Sequence, residues 1–264
     1  MNRSDIIRST EEIGFLPEQK FGQNFLCDEE ACNRIVSLCS PQKGDKILEI
    51  GPGLGSLTSI LVEDNADLTC VEIDKRLAEY IKSRFDCRVF AKDYIKLDAE
   101  EYEASSYITA VSNIPYYVMT PIMKKLLTEL TSAKRIVLMV EKEALSRIMA
   151  KPGSKQYGPL SILCELFGDV KVEFDLPGNM FYPAPKTVSS VITMTGGIKD
   201  GVGKDFGMFL EKAFGNRRKK ILNNVDVDKG IMTDILARYG YVPDTRAEDI
   251  TPFDFLKIYR DIIL

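Results

Sequence analysis

A strand that runs directly into a glycine-rich turn constrains this chain more than any other feature. Lys46 to Ile50 is a largely apolar run ending in Gly51-Pro52-Gly53-Leu54-Gly55, and Leu57, Ile60, Leu61 and Val62 behind it mark a helix. Strand, glycine-rich turn and helix open a nucleotide-binding α/β unit, because the glycines let the backbone approach a ligand that the helix N-terminus faces. The turn alone leaves NAD, FAD and S-adenosylmethionine open. Ser56 stands where the dinucleotide fingerprint G-x-G-x-x-G has its third glycine, which counts against NAD.

The segments that follow repeat one arrangement. A strand over Leu68 to Ile73 carries Glu72 near its carboxyl end, and Asp74 caps a helix through Leu77, Tyr80 and Ile81. A third strand, about Arg88 to Ala91, delivers Asp93, and a fourth, about Tyr107 to Ser112, delivers Asn113-Ile114-Pro115-Tyr116. Glu72 lies roughly 20 residues past the glycines, the spacing of a ribose-binding acid. For a methyl donor, Glu72 would bind the ribose hydroxyls and Asp93 would accept from the adenine amine. Ligands in open α/β sheets sit beyond the carboxyl ends of the strands, so these residues are expected in one crevice.

Asn113 to Tyr116, followed by Tyr117, suits a reaction at the exocyclic amine of a flat base. Such an amine is a poor nucleophile because its lone pair is delocalised into the ring. The Asn113 side-chain oxygen and the Ile114 carbonyl could each accept one N–H and draw the nitrogen toward tetrahedral geometry, with Tyr116 stacked on the base. Pro115 biases Ile114 toward an extended conformation and leaves its carbonyl without a helical partner. In isolation the tetrapeptide reads more readily as a strand end running into a turn, and its neighbours in the chain tip the reading toward an amine site. The chain has no histidine, which removes the commonest general base and metal ligand. In-line methyl transfer from a sulfonium needs positioning more than a strong base.

Thr120-Pro121 starts a helix, and Arg135 to Val140 reads as a central strand. Asp28 caps an earlier helix, while Glu141 to Met149 and Pro159 to Phe167 read as helices on either side of the polar loop Lys151 to Gly158. Val170 to Phe174 and Thr187 to Met194 are the last two strands. The glycines of Thr195 to Gly203 mark a linker. Beyond it the pattern is helical, at about Phe206 to Phe214, Lys219 to Asn223, Lys229 to Tyr239 and Pro252 to Ile263. The expected architecture is an α/β, mostly parallel Rossmann-like sheet domain over residues 1–196, with a linker and small all-helical domain over 197–264.

Arg217-Arg218-Lys219-Lys220 is the densest basic run and is expected to open a helix. With Lys142, Arg147, Lys151, Lys155 and Lys186 it would rim an otherwise acidic protein of net charge -4 with phosphate contacts. Phe181 and Tyr116 are the candidate faces for a base drawn out of its stack, although Phe181 reads equally as a core-packing aromatic. The six cysteines form no C-x-x-C pair and read as buried free thiols, and no metal site is expected. No apolar window is long enough to span a membrane, and Met1 to Lys20 lack the apolar core of a signal peptide, so the expected location is the cytoplasm.

Gln23-Asn24-Phe25-Leu26, Glu49-Ile50-Gly51-Pro52-Gly53, Glu72-Ile73-Asp74, Asn113-Ile114-Pro115-Tyr116 and Phe181-Tyr182-Pro183-Ala184-Pro185-Lys186 together resemble the ordered motifs of the ribosomal RNA small subunit adenine dimethyltransferases. The resemblance continues through Ala213-Phe214 and Arg217 to Lys220 as far as Arg246-Ala247-Glu248-Asp249-Ile250. It implies an S-adenosylmethionine-dependent enzyme that dimethylates the N6 amines of two adjacent adenosines. The target would be a hairpin loop near the 3' end of small-subunit rRNA, within the subunit particle. By motif, Asn24, Leu26, Gly51, Gly53, Glu72, Asp93 and Asn113 would line the cofactor site. Asn113, Ile114, Pro115, Tyr116 and Phe181 would handle the base, and Lys155, Lys186 and Arg217 to Lys220 the RNA. A monomer is the default expectation. Alternatives are a related enzyme acting on large-subunit rRNA or DNA adenine, an assembly or transcription factor that keeps the fold without catalysis, and an NAD dehydrogenase.

Overall fold

The computed structural model describes residues 1–17 and 22–263; Lys20 lies outside them. The strands are β1 (Phe25–Leu26), β2 (Lys46–Ile50), β3 (Asp67–Val71), β4 (Arg88–Phe90), β5 (Thr109–Asn113), β6 (Arg135–Glu141), β7 (Gly168–Leu176), β8 (Phe181–Tyr182) and β9 (Ser189–Gly196). The helices are α1 (Arg3–Glu12), α2 (Glu29–Cys39), α3 (Thr58–Glu63), α4 (Lys75–Arg84), α5 (Met119–Glu129), α6 (Leu145–Ile148), α7 (Pro159–Phe167), α8 (Lys204–Phe214), α9 (Lys229–Arg238) and α10 (Pro252–Ile263).

Seven strands form one sheet in the order β4-β3-β2-β5-β6-β9-β7. The first five are parallel, β9 runs antiparallel to β6, and β7 antiparallel to β9. From β2 the chain winds outward through β3 to β4, then returns to the other side of β2 with β5. That reversal puts the topological switch point between the ends of β2 and β5, where Gly51 and Asn113 follow.

Side-chain alternation divides the strands between two cores. Ile47, Val111, Val137 and Met139 face α2, α3 and α4, whereas Leu48, Ala110, Ile136 and Leu138 face the core built with α5, α7 and the C-terminal helices. Phe206, Phe209, Phe255 and Tyr259 form an aromatic cluster that continues this second core.

Three expectations change. Thr195 and Gly196 are not linker but the end of β9, because Asp169 and Gly168 pair with them. The basic run does not open a helix: it lies in turns before a single 3-10 turn at Ile221–Asn223, and Lys220 bridges to Arg246 instead. The first residues, read only as lacking an apolar core, form α1. Asn2 caps it, Ile6 is buried, and the Ser9 and Tyr80 hydroxyls share a 2.8 Å hydrogen bond.

Candidate active site

The strand ends surround a cavity of about 450 Å³. Asn24, Leu26, Gly51, Gly53, Glu72, Asp93 and Asn113 all line it, with Pro115 and Tyr117 at one side. Gly53 has φ of +58°, and a Cβ there would lie 2.8 Å from the Phe25 ring. Gly51 has φ of +67°, and its Cβ would meet nothing within 4 Å, so the backbone itself forms the wall of an open cradle.

Glu72 is 6% exposed and fastens this cradle. Its carboxylate accepts the Gly53 N–H at 3.2 Å and the Asp74 N–H at 3.0 Å. Burial raises its pKa, and these backbone donors oppose the rise. Asp93 caps the turn Tyr94–Lys96 by accepting from the Ile95 N–H at 3.0 Å. Ser56 donates to the Leu26 carbonyl at 2.7 Å, so the residue in place of the third glycine pins β1 over the cavity.

The Asn113 amide is oriented. Its Nδ2 donates to the Asn24 backbone carbonyl at 2.9 Å, which commits the donor end, and among the described residues no donor meets Oδ1. The Ile114 N–H donates to the Met139 carbonyl at 3.3 Å, and among the described residues no donor meets the Ile114 carbonyl. The Asn24 Oδ1 is itself buried without a partner among the described residues, in a residue that lines the cavity. A buried acceptor of this kind suits a bound donor such as an ammonium. Together with the open glycine cradle and the ribose-spaced acid, the residues present fit S-adenosylmethionine.

A second cavity, of about 430 Å³, shares Gly22, Asn24 and Tyr117 with the first. Tyr116, Glu141, Pro185 and Lys186 complete its wall. Lys186 is exposed there, and Tyr117 is 60% exposed. Phe181 does not join them: of its two readings, the structure supports core packing over a base-holding face. It is 1% exposed in the core beneath β1, paired in register with Leu26, and presents no face to either cavity. Its contacts position the Asn24 to Leu26 strand.

The basic residues also separate. Arg217 donates to the Tyr157 carbonyl at 2.7 Å, to the Ser154 carbonyl at 3.3 Å and to Glu248 at 2.8 Å, so it staples two loops and is not a free phosphate ligand. Lys220 pairs with Asp244, Lys142 with Asp175 and Lys151 with Glu165. Lys155, Lys186, Arg218 and Lys219 are exposed and have no ion-pair partner among the described residues.

Sequence reasoning missed Glu49 as a site residue. It lines the first cavity from the penultimate position of β2, buried, and accepts from the Thr58 hydroxyl at 2.7 Å. Desolvation pushes its carboxyl up to about 7. An acid flanked by Leu48 and Ile50 in an otherwise apolar strand was the available signal.

A cofactor-type cradle at the switch point, with the oriented Asn113 amide in its wall and a second cavity alongside that shares Asn24 and Tyr117, belongs to the Rossmann-like methyltransferases. The same fold appears in the dimethyladenosine transferase of Plasmodium falciparum, with a TM-score of 0.70 at 24% identity over 89% of this chain and 95% of that one. It appears again in the 23S rRNA methyltransferase ErmE, with a TM-score of 0.58 at 19% identity over 91% of this chain and all of the other. Residues 15–263 match the ribosomal RNA adenine dimethylase model, and the chain belongs to that family. It is 35% identical to the ribosomal RNA small subunit methyltransferase A of Chlorobium phaeobacteroides, across 93% of each chain. It is 34% identical to the protein of the same name from Malacoplasma penetrans, across 94% of this chain and 92% of that one. Among the described residues, no helix is long and apolar enough to cross a membrane.

Proposed function

We propose that this methyltransferase dimethylates the N6 amines of two adjacent adenosines in the hairpin loop near the 3' end of small-subunit rRNA, acting on the subunit particle in the cytoplasm. The observation that carries the reading is the fixed polarity of the Asn113 amide, with Oδ1 left as an acceptor beside the open Ile114 carbonyl. Two acceptors are what an amine nucleophile requires, and they would disfavour a ring nitrogen or carbonyl in the same place.

In this reading Asn24, Leu26, Gly51, Gly53, Glu72, Asp93 and Asn113 hold S-adenosylmethionine, which when bound supplies an electrophilic methyl group on a sulfonium. Glu72 would take the ribose hydroxyls and Asp93 the adenine amine. The second cavity receives the target base, whose amine reaches past Asn24 and Tyr117, shared by both cavities, to Asn113 on the wall of the first. Asn113 and Ile114 accept its two N–H groups, and Tyr116 supplies a face that holds the ring. Positioning of this kind contributes up to about 7–11 kcal/mol, enough to make a histidine unnecessary. Residues 1–196 carry the chemistry, and residues 197–264 dock the RNA or the particle. Lys155, Lys186, Arg218 and Lys219 approach phosphates, while the acidic total favours a composite surface on the particle over naked RNA.

The experiment is nucleoside mass spectrometry of rRNA from unmethylated small subunits incubated with and without the protein and S-adenosylmethionine. Dimethyladenosine in the small-subunit rRNA is expected. Unmodified small-subunit rRNA, or methylation confined to large-subunit rRNA, would overturn the proposal.

A further inference from the structure

Tyr116 is held at its far end as well as through its backbone. The Tyr116 and Ser189 hydroxyls lie 2.7 Å apart, although the residues are 73 positions apart in the chain. Ser189 is the first residue of β9, essentially buried, and sits directly opposite Glu141, the last residue of β6. Asn113 is in register with Met139 on that same β6 strand. One strand therefore indexes both the amide that meets the amine and the hydroxyl that anchors the ring. Ser189 does not line the second cavity, whereas Tyr116 does.

We propose that Ser189 is a positioning residue for methyl transfer: its hydroxyl fixes the plane of Tyr116 so that the base is clamped in attack geometry. This inference rests on the proposed adenine-methylating function. A tyrosine anchored only at Cβ can still rotate about χ1 and χ2, and each departure tilts its face away from the base. A second anchor at the phenol oxygen removes that freedom before the RNA arrives. The cost of ordering the ring is then met in folding, and it no longer raises the barrier to transfer. Because the clamp acts on the base, its loss should reach turnover without altering cofactor binding.

The test compares Ser189→Ala, Ser189→Thr and Tyr116→Phe with the unaltered protein on unmethylated small subunits, following single-turnover methyl transfer and S-adenosylmethionine affinity. Fluorescence of small subunits whose 3' hairpin carries 2-aminopurine in place of the target adenosine reports stacking. Ser189→Ala and Tyr116→Phe should each slow transfer about tenfold, since both delete the same hydrogen bond. The double variant should be no slower than either, cofactor affinity should be unchanged, and 2-aminopurine quenching should weaken. Ser189→Thr, which restores a hydroxyl, should recover most of the rate. Tyr116→Phe guards against a folding defect at the buried serine, since it removes the bond from the cavity side. Unchanged rate and quenching in Tyr116→Phe would overturn the inference, as would multiplicative losses in the double variant. If the unaltered protein fails to methylate the subunit, the fault lies with the functional proposal and not with the tether.

Discussion

The Asn113 side-chain amide donates to the backbone carbonyl of Asn24 across 2.9 Å, linking the end of β5 to the segment that enters β1. This bond decides which end of the amide faces a substrate, and the chemistry of the site depends on it. Asn113→Ala should therefore reduce single-turnover methyl transfer by about 10²–10³-fold, the usual cost of removing an acceptor or donor from developing charge. S-adenosylmethionine binding, measured by calorimetry, should weaken by less than about tenfold. Equal losses in both would show that the amide serves only to position the cofactor.

Gly53 combines a positive φ with close approach to the Phe25 ring, so a methyl group is penalised twice. Gly53→Ala should lower stability by about 1–3 kcal/mol in denaturant titration. Cofactor affinity should fall with it, because the Gly53 N–H also holds Glu72.

Glu49 gives the site a dependence on pH. Its carboxyl rises from an ordinary 4.5 to about 7 on folding, so between these values the folded state binds more protons than the unfolded one. Its contribution to stability is then fully present below about 4.5 and is lost as pH rises through about 7. Glu49→Gln should flatten the stability profile across that window by roughly 2–3 kcal/mol relative to the unaltered protein. Thermal melts from pH 4.5 to 8 would show it, and parallel profiles for the two proteins would contradict the assignment.

Arg217 and its neighbours should behave differently although all are basic. Arg217→Lys keeps the charge but cannot span three acceptors, and should cost about 1–2 kcal/mol of stability. Arg218→Ala and Lys219→Ala should leave stability within about 0.5 kcal/mol. For a direct phosphate contact, each should reduce the slope of log affinity for the RNA against log salt by up to about 0.9. Binding titrations from low to moderate salt separate the two behaviours.

The sequence by itself determined the succession of strands and helices, the mostly parallel class of the sheet and the kinds of residue at its strand ends. Strand periodicity, the glycine turn at Gly51 and the caps at Asp28 and Asp74 are local, so Lys46–Ile50, Pro159–Phe167 and Pro252–Ile263 were legible to the residue. The convergence of Glu72, Asp93 and Asn113 followed from a topological rule, without knowledge of any side-chain contact. Tertiary structure decided what contacts remote in sequence decide. Phe181 reads as an available aromatic until its pairing with Leu26 buries it, and Arg217 reads as a phosphate ligand until three acceptors from two other loops claim it. The Asn113 stretch was recognisable as an amine site only in the company of the glycine turn, Glu72 and Asp93. Which end of its amide faces outward was set by Asn24, 89 residues away, and the hold on its tyrosine by Ser189, because a hydrogen bond needs both partners in place and only the folded chain brings them together.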